Sequence, residues 1–76
     1  MDGDVETRYE NGLWKNRVHG HVRASNTAKR RDDAVKTGRH MAQARRVVHV
    51  VRDEDGTVVH RHDYHESRRG VSLPPA

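Results

Sequence analysis

Histidines and carboxylates crowd residues 58–66, which read V-V-H-R-H-D-Y-H-E. In a strand, His60 and His62 point to the same face, and two imidazoles at this spacing can hold one metal ion. His19 and His21 form a second such pair, so four imidazoles would converge if the two strands were neighbours. Zinc sites more often use cysteines or closely spaced histidines on helices, and the chain has no cysteine. We therefore expect no metal and no other cofactor, with these four histidines as weak candidates.

The same segment carries Asp63 and Glu66, which could join a histidine in general acid–base catalysis. Catalysis needs a pocket, and a chain of 76 residues with 32% hydrophobic residues has little material to enclose one. Ser25, Ser67 and Ser72 do not lie in the sequence contexts that are typical of catalytic nucleophiles. We therefore expect no enzymatic activity and no catalytic residue.

Basic residues gather in the middle of the chain. Residues 11–52 contain eleven bases and two acids, whereas residues 1–10 and 53–66 are acidic, so the net charge of +4 hides a basic centre. Such a surface suits phosphates and would bind nucleic acid without sequence preference. The alternative is that these side chains form only the solvated face of a helix. The candidate nucleic-acid contacts are Arg17, Arg23, Lys29, Arg30, Arg31, Lys36, Arg39 and Arg46.

Alternating residues before this basic stretch predict two strands. Apolar and polar residues alternate loosely over residues 4–10, and Asn11-Gly12 follows, the dipeptide that is typical of a two-residue hairpin turn. The alternation resumes over residues 13–19. The pattern predicts a β-hairpin over residues 4–19 and a loop over residues 20–27.

The basic stretch itself has the apolar spacing of a helix from Lys29 to Arg46, with Asn26 or Thr27 as a candidate cap. Gly38 lies in its middle, where glycine costs about 1 kcal/mol relative to alanine. A close approach of the helix to a sheet would explain a glycine there.

Two runs rich in β-branched residues follow the helix, over residues 47–52 and 57–62, and a turn joins them at residues 53–56. The whole pattern predicts an α+β fold of order β-β-α-β-β, with one helix packed on one face of a four-stranded antiparallel sheet. Residues 1–66 would form a single domain, and residues 67–76 an irregular, flexible C-terminal tail. The predicted core consists of the valines, Trp14, Ala34, Val35, Met41 and Ala42.

Several short motifs, which together span about residues 10–66, resemble those of a known family. They are Trp14-x-x-Arg17, Arg23-Ala24-Ser25, Asp33-Ala34-Val35, Gly38-Arg39 with Ala42, Arg52-x-x-Asp55-Gly56-Thr57 and Arg61-x-Asp63-Tyr64. In combination they resemble the short bacterial proteins grouped as domain of unknown function 2188. The resemblance implies a compact β-β-α-β-β domain and no catalytic residue, because the family has no assigned activity.

Two positions depart from that family's pattern. Lys29-Arg30 stands where members usually have Asp-Thr, which removes a capping side chain before the helix. His65 stands where glycine is usual, and a turn that requires a positive φ there would be strained.

We expect a small, non-enzymatic, cytoplasmic binding protein, because the acidic start does not resemble a signal peptide and no apolar stretch could span a membrane. Its basic helix face would contact nucleic-acid phosphates. The alternative is a protein-interaction or regulatory module, host- or phage-encoded, that acts through an exposed sheet face or edge strand. Pairing as a homodimer would bury such an edge and stabilise a small core.

Overall fold

The computed structural model of the chain describes residues 3–65 and contains five strands and one helix. The elements are β1 (Val5–Glu10), β2 (Leu13–Val18), β3 (Asn26–Ala28), α1 (Arg31–Arg45), β4 (Val48–Arg52) and β5 (Val58–Asp63). They confirm the α+β class and the succession of hairpin, helix and second hairpin. Glu66 and the tail predicted over residues 67–76 lie outside the described residues.

The sheet is mixed and has five strands in the order β3-β2-β1-β4-β5, so the prediction of a four-stranded antiparallel sheet was wrong. The extra strand β3 pairs antiparallel with β2 inside the segment predicted as a loop, and three residues are too few for an alternating pattern to stand out. Strand β4 pairs parallel with β1. The reason is that α1 carries the chain back along the sheet, so the strand after the helix runs in the same direction as the strand before it.

The turn between β1 and β2 confirms the predicted hairpin. Asn11 and Gly12 have φ angles of 54° and 85°, and Glu10 pairs with Leu13 on either side of them. A two-residue turn of the primed type requires positive φ at both central positions, which asparagine and glycine tolerate. This turn fixes the register that places Val5 opposite Val18 at the other end of the hairpin.

Helix α1 begins later than the sequence predicts. Arg30 is the residue before its first turn and makes no side-chain capping bond, while Asn26 and Thr27, the predicted caps, belong to strand β3. Two aspartates in the first turn lie at the positive end of the helix dipole. At the other end Arg46 adopts a left-handed conformation with φ 60°, and its N–H bonds to the carbonyls of the last turn.

A stripe of small residues brings α1 close to the sheet. Ala34, Gly38 and Ala42, each four residues apart, are its buried positions. Because none of them has a side chain larger than a methyl group, the helix backbone lies close against the strands. The core between the two layers contains Val5, Trp14, Val18, Val51 and, at one end, Tyr64, which is 9% exposed. Tyr64 thus closes the core as predicted, whereas Val35 is only half-buried.

Candidate functional site

A groove opens between helix α1 and strand β5, and we call it the helix–strand groove. The helix lies mainly over β1 and β2, so the edge strand β5 extends past it. The groove has a volume of about 420 Å³. The helix contributes Arg31, Asp32, Val35, Lys36 and Arg39 to its wall, and the sheet contributes Val51 and His60.

The charge of the helix–strand groove is positive, because three cations and one carboxylate line it. Arg31 has a weak acidic partner, Asp53, at 4.0 Å, and its guanidinium lies 5.7 Å from the centre of the Trp14 ring. Among residues 3–65, neither Lys36 nor Arg39 has an ion pair, and both side chains are exposed. Within the described residues, the positive charge of the groove thus exceeds the negative charge of its one carboxylate, Asp32.

A second set of polar residues lies beneath the same helix, and we call Thr7, Asn16 and His49 the buried network. Each of the three is 1% exposed or less. They point toward the helix from three neighbouring strands, directly under Gly38. A methyl group added to Gly38 would lie 2.5 Å from Asn16 Oδ1, 2.6 Å from Thr7 Oγ1 and 2.7 Å from His49 Nε2. This geometry confirms the predicted close approach of the helix at Gly38.

The hydrogen bonds of Asn16 determine where every proton in the buried network lies. Its amide nitrogen donates to Asn26 Oδ1 at 2.8 Å and to the Ala34 carbonyl at 2.9 Å, so the amide oxygen faces Thr7. The Thr7 hydroxyl donates its single proton to that oxygen. Thr7 Oγ1 can then only accept a proton from His49 Nε2, which lies 2.8 Å away. His49 therefore carries its hydrogen on Nε2.

Burial lowers the pKa of His49 to about 4, and the nearby His60, Arg39 and His62 act in the same direction. Burial has this effect because it disfavours the charged imidazolium. At neutral pH the ring is uncharged, with its lone pair on Nδ1. The buried network is thus a closed, neutral set of hydrogen bonds, which suits it to holding the helix on the sheet.

The structure divides the predicted nucleic-acid contacts among several surfaces. Only Arg31, Lys36 and Arg39 line the helix–strand groove. Arg17 lies on the opposite face of the sheet, 3.5 Å from Glu10, with which Lys15 also pairs at 3.3 Å. The other predicted contacts are exposed and lie in the loop before β3, just before α1 and just after it: Arg23, Lys29, Arg30 and Arg46.

The four histidines proposed as weak metal ligands do not converge. His19 and His21 follow β2, which β1 and β4 separate from β5, so the two pairs lie roughly 14 Å apart at the usual strand spacing. His60 and His62 do share one face, with nearly parallel rings whose centroids are 6.5 Å apart. Within residues 3–65 no three histidine or carboxylate side chains form a group that could hold a metal ion.

The end of β5 also differs from the sequence-based expectation. Asp63 accepts hydrogen bonds from the backbone N–H of His65 at 2.9 Å and from its ring at 2.7 Å. These bonds hold the pKa of Asp63 below its usual value, with a smaller contribution from Arg61. His65 has no positive φ, so the strain expected from a histidine in place of glycine is absent.

Sequence reasoning missed the buried network, although two signals pointed to it. His49 interrupts a run of valines in a strand predicted to be buried, and Asn16 falls between Trp14 and Val18 on the inward face of β2. A polar residue at an inward position needs a hydrogen-bond partner. Predicting that Asn16 contacts Thr7 and His49 requires knowing that β2, β1 and β4 are neighbours, and the sequence alone does not show this strand order.

Comparison with known proteins yields one match. A family model described as "Uncharacterized protein conserved in bacteria (DUF2188)" matches residues 4–64. No curated protein and no solved structure matches the chain. Among the described residues, no helix is both long enough and apolar enough to cross a membrane.

Proposed function

The chain belongs to the uncharacterized bacterial family DUF2188, and we propose that it is a small non-enzymatic protein that binds nucleic-acid phosphates in the helix–strand groove. The observation that carries this proposal is the pair of exposed cations Lys36 and Arg39, which line the groove without an acidic partner among residues 3–65. Two successive phosphates of a nucleic-acid strand, with one negative charge each, would neutralise the two cations. Arg31 lies at the same groove and adds a third cation.

The proposed contacts predict how binding depends on salt. Each phosphate that a protein cation neutralises releases condensed counterions, so the logarithm of the affinity falls linearly with the logarithm of the salt concentration. Three contacts to a single strand correspond to a slope of about −2. Such a protein binds weakly at physiological salt and without strong sequence preference.

The test is a titration of fluorescently labelled oligonucleotides at several salt concentrations, read by anisotropy. Lys36→Glu with Arg39→Glu reverses both free cations and should abolish binding. Arg23→Glu with Arg45→Glu is the matched control, because it reverses two exposed charges outside the groove and changes the net charge equally. Equal losses in the two double variants would show only a general charge effect and would overturn the groove as the site.

A second candidate function rests on the exposed valines of strand β5. Val58 and Val59 are 46% and 47% exposed, and among the strands of residues 3–65 β5 lies at an edge and pairs with β4 alone. Such an edge can add a strand from another protein or from a second copy of this chain. Sedimentation at increasing protein concentration measures self-pairing, and Val59→Lys should prevent it. A monomer at every concentration would exclude the homodimer.

A further inference from the structure

The face of β5 that borders the helix–strand groove carries two imidazole rings in a parallel arrangement. His60 and His62 have ring planes 4° from parallel and centroids 6.5 Å apart. Bases stacked in a nucleic-acid strand are separated by about 3.4 Å, so two stacking intervals amount to roughly 6.8 Å. The spacing of the two imidazoles therefore matches that of two rings on either side of one stacked base.

The core of the protein supports one ring of this pair. His62 contacts the ring of Tyr64, with centroids 4.3 Å apart and planes tilted by 51°. Tyr64 is 9% exposed and belongs to the hydrophobic cluster with Val5 and Ala42. The exposed His62 ring is thus supported from one side by a buried aromatic residue, which reduces the freedom that it would lose on binding a ligand.

The rings also lie next to the cations of the helix–strand groove. His60 lines the groove together with Lys36 and Arg39, and His62 is the next residue along the same face of β5. A nucleotide strand in this position would meet positive charge on the helix side and flat aromatic surface on the strand side. Proteins that bind single strands combine these two features, a cationic groove and side chains on which bases stack.

We propose that the helix–strand groove takes single-stranded rather than duplex nucleic acid, with one base stacked on His60 and His62 and its phosphates at Lys36 and Arg39. This inference rests on the proposed function and adds the strandedness of its ligand. The bases of a duplex are already stacked on one another, so they present no free ring face to the imidazoles. The groove volume of about 420 Å³ is large enough for a nucleotide-sized segment.

The experiment compares three fluorescent probes under one low-salt condition: a single-stranded oligonucleotide, the same strand with abasic sites throughout, and a duplex. The abasic strand keeps the phosphates and lacks the bases. We expect the intact strand to bind at least about fivefold more tightly than the abasic strand, because the stacking of one base on an aromatic side chain contributes a factor of this size or more. The intact strand should also bind more tightly than the duplex, although the duplex has the higher charge density.

Two pairs of substitutions assign the difference to the rings. His60→Ala with His62→Ala should lower the affinity for the intact strand to that of the abasic strand and leave the abasic strand unchanged. His60→Phe with His62→Phe should retain the preference, because phenylalanine also offers a ring face. His19→Ala with His21→Ala is the matched control, since it removes an equally spaced histidine pair beyond the end of β2, and it should have no effect.

The outcomes separate this inference from the proposed function. If intact, abasic and duplex probes bind equally and with steep salt dependence, the groove binds phosphates and the stacking inference is wrong. A base preference that survives in the double alanine variant would overturn it as well. If no probe binds, both the inference and the proposed function fail. Circular dichroism of each variant tests whether the fold is intact.

Discussion

Helix α1 covers one set of polar residues in the sheet and carries another set on its own exposed side, and the two sets differ in how fully their hydrogen bonds and charges are satisfied. In the buried network, Thr7, Asn16 and His49 are 1% exposed or less, and the protons of Asn16 and Thr7 all have acceptors inside the protein. In the helix–strand groove, Lys36 and Arg39 are exposed and have no ion pair among residues 3–65. The closed set is neutral, and the open set is cationic.

The difference shows how a small polar protein can use similar residue types for two purposes. A buried polar group that is fully hydrogen-bonded fixes one arrangement of helix and sheet, because any shift leaves it unsatisfied at a cost of about 1–3 kcal/mol. An exposed cation contributes little to stability and remains available to a ligand. Substitutions in the first set should therefore change stability, and those in the second set should change binding.

The largest effect is expected from Gly38→Val. The new side chain would collide with all three members of the buried network, starting with contacts of 2.5–2.7 Å at its Cβ alone. Overpacking and broken hydrogen bonds together should lower the free energy of unfolding by about 5 kcal/mol or more, most of the stability of a domain this small. Urea unfolding followed by circular dichroism measures the loss. Thr37→Val, at the exposed neighbouring position, is the control and should be nearly neutral.

Asn16→Ala should have the second largest effect. It leaves the Thr7 hydroxyl proton buried without its acceptor and removes the donor of Asn26 Oδ1. It also removes the second hydrogen bond of the Ala34 carbonyl, which keeps its helical bond from the Gly38 N–H. We expect a loss of about 4 kcal/mol in the free energy of unfolding, because several groups become unsatisfied at once. Asn26→Ala removes one acceptor at the edge of the network and a weak hydrogen bond to Met41 Sδ, and it should cost less than half as much. Equal losses in the two variants would show that the network does not act as a unit.

Acidification should weaken the buried network by charging His49. Its pKa of about 4 in the folded protein lies below the ordinary value of 6.5, so the unfolded chain binds the additional proton more readily. The stabilisation is complete above pH 6.5 and is lost as the pH falls toward 4, by roughly 3 kcal/mol in total. Unfolding free energies across this range, compared with those of His49→Gln, isolate the contribution. A variant that lost stability on acidification as steeply as the wild type would contradict the assignment.

The smallest change in stability is expected in the helix–strand groove. Lys36→Glu with Arg39→Glu should alter the free energy of unfolding by less than about 0.5 kcal/mol, because both side chains are exposed and neither has an ion pair within residues 3–65. The same double variant is expected to lose its affinity for nucleic acid. Thermal and urea unfolding of the purified variant measure the effect. A loss larger than about 1 kcal/mol would mean that these cations serve the fold.

Local signals in the sequence predicted most of the elements. Asn11-Gly12 correctly predicted a hairpin turn, and Gly38 correctly indicated a close helix–sheet contact. Strand order could not be read in the same way, because the parallel pairing of β1 with β4 depends on the path of the helix and not on either strand's pattern. Strand β3 was not predicted, because pairing with β2 and not the pattern of its own three residues determines its conformation.

The candidate site was predicted only in part, for a related reason. The cluster of charges along residues 29–46 suggested a basic surface, and three of its members line one groove. Arg17 could be excluded from the candidate nucleic-acid contacts only once the structure showed which face of the hairpin the helix covers. His60 lines the groove, and His62 lies next to it, because β5 is an edge strand that extends past the helix. That position follows from the strand order, which the sequence alone does not show.

The parallel pairing of β1 with β4 has a consequence for how a new copy of the chain folds during synthesis. The β1–β2 hairpin is complete at Val18 and can form within about 1–10 μs. Strand β4 ends at Arg52, 34 residues later, which ribosomes take roughly 2 to 7 seconds to add. For those seconds the inner edge of β1 has no neighbour, and nascent copies on adjacent ribosomes can pair with it. We therefore expect slower translation between these two strands to lower the share of the protein that is recovered in folded form.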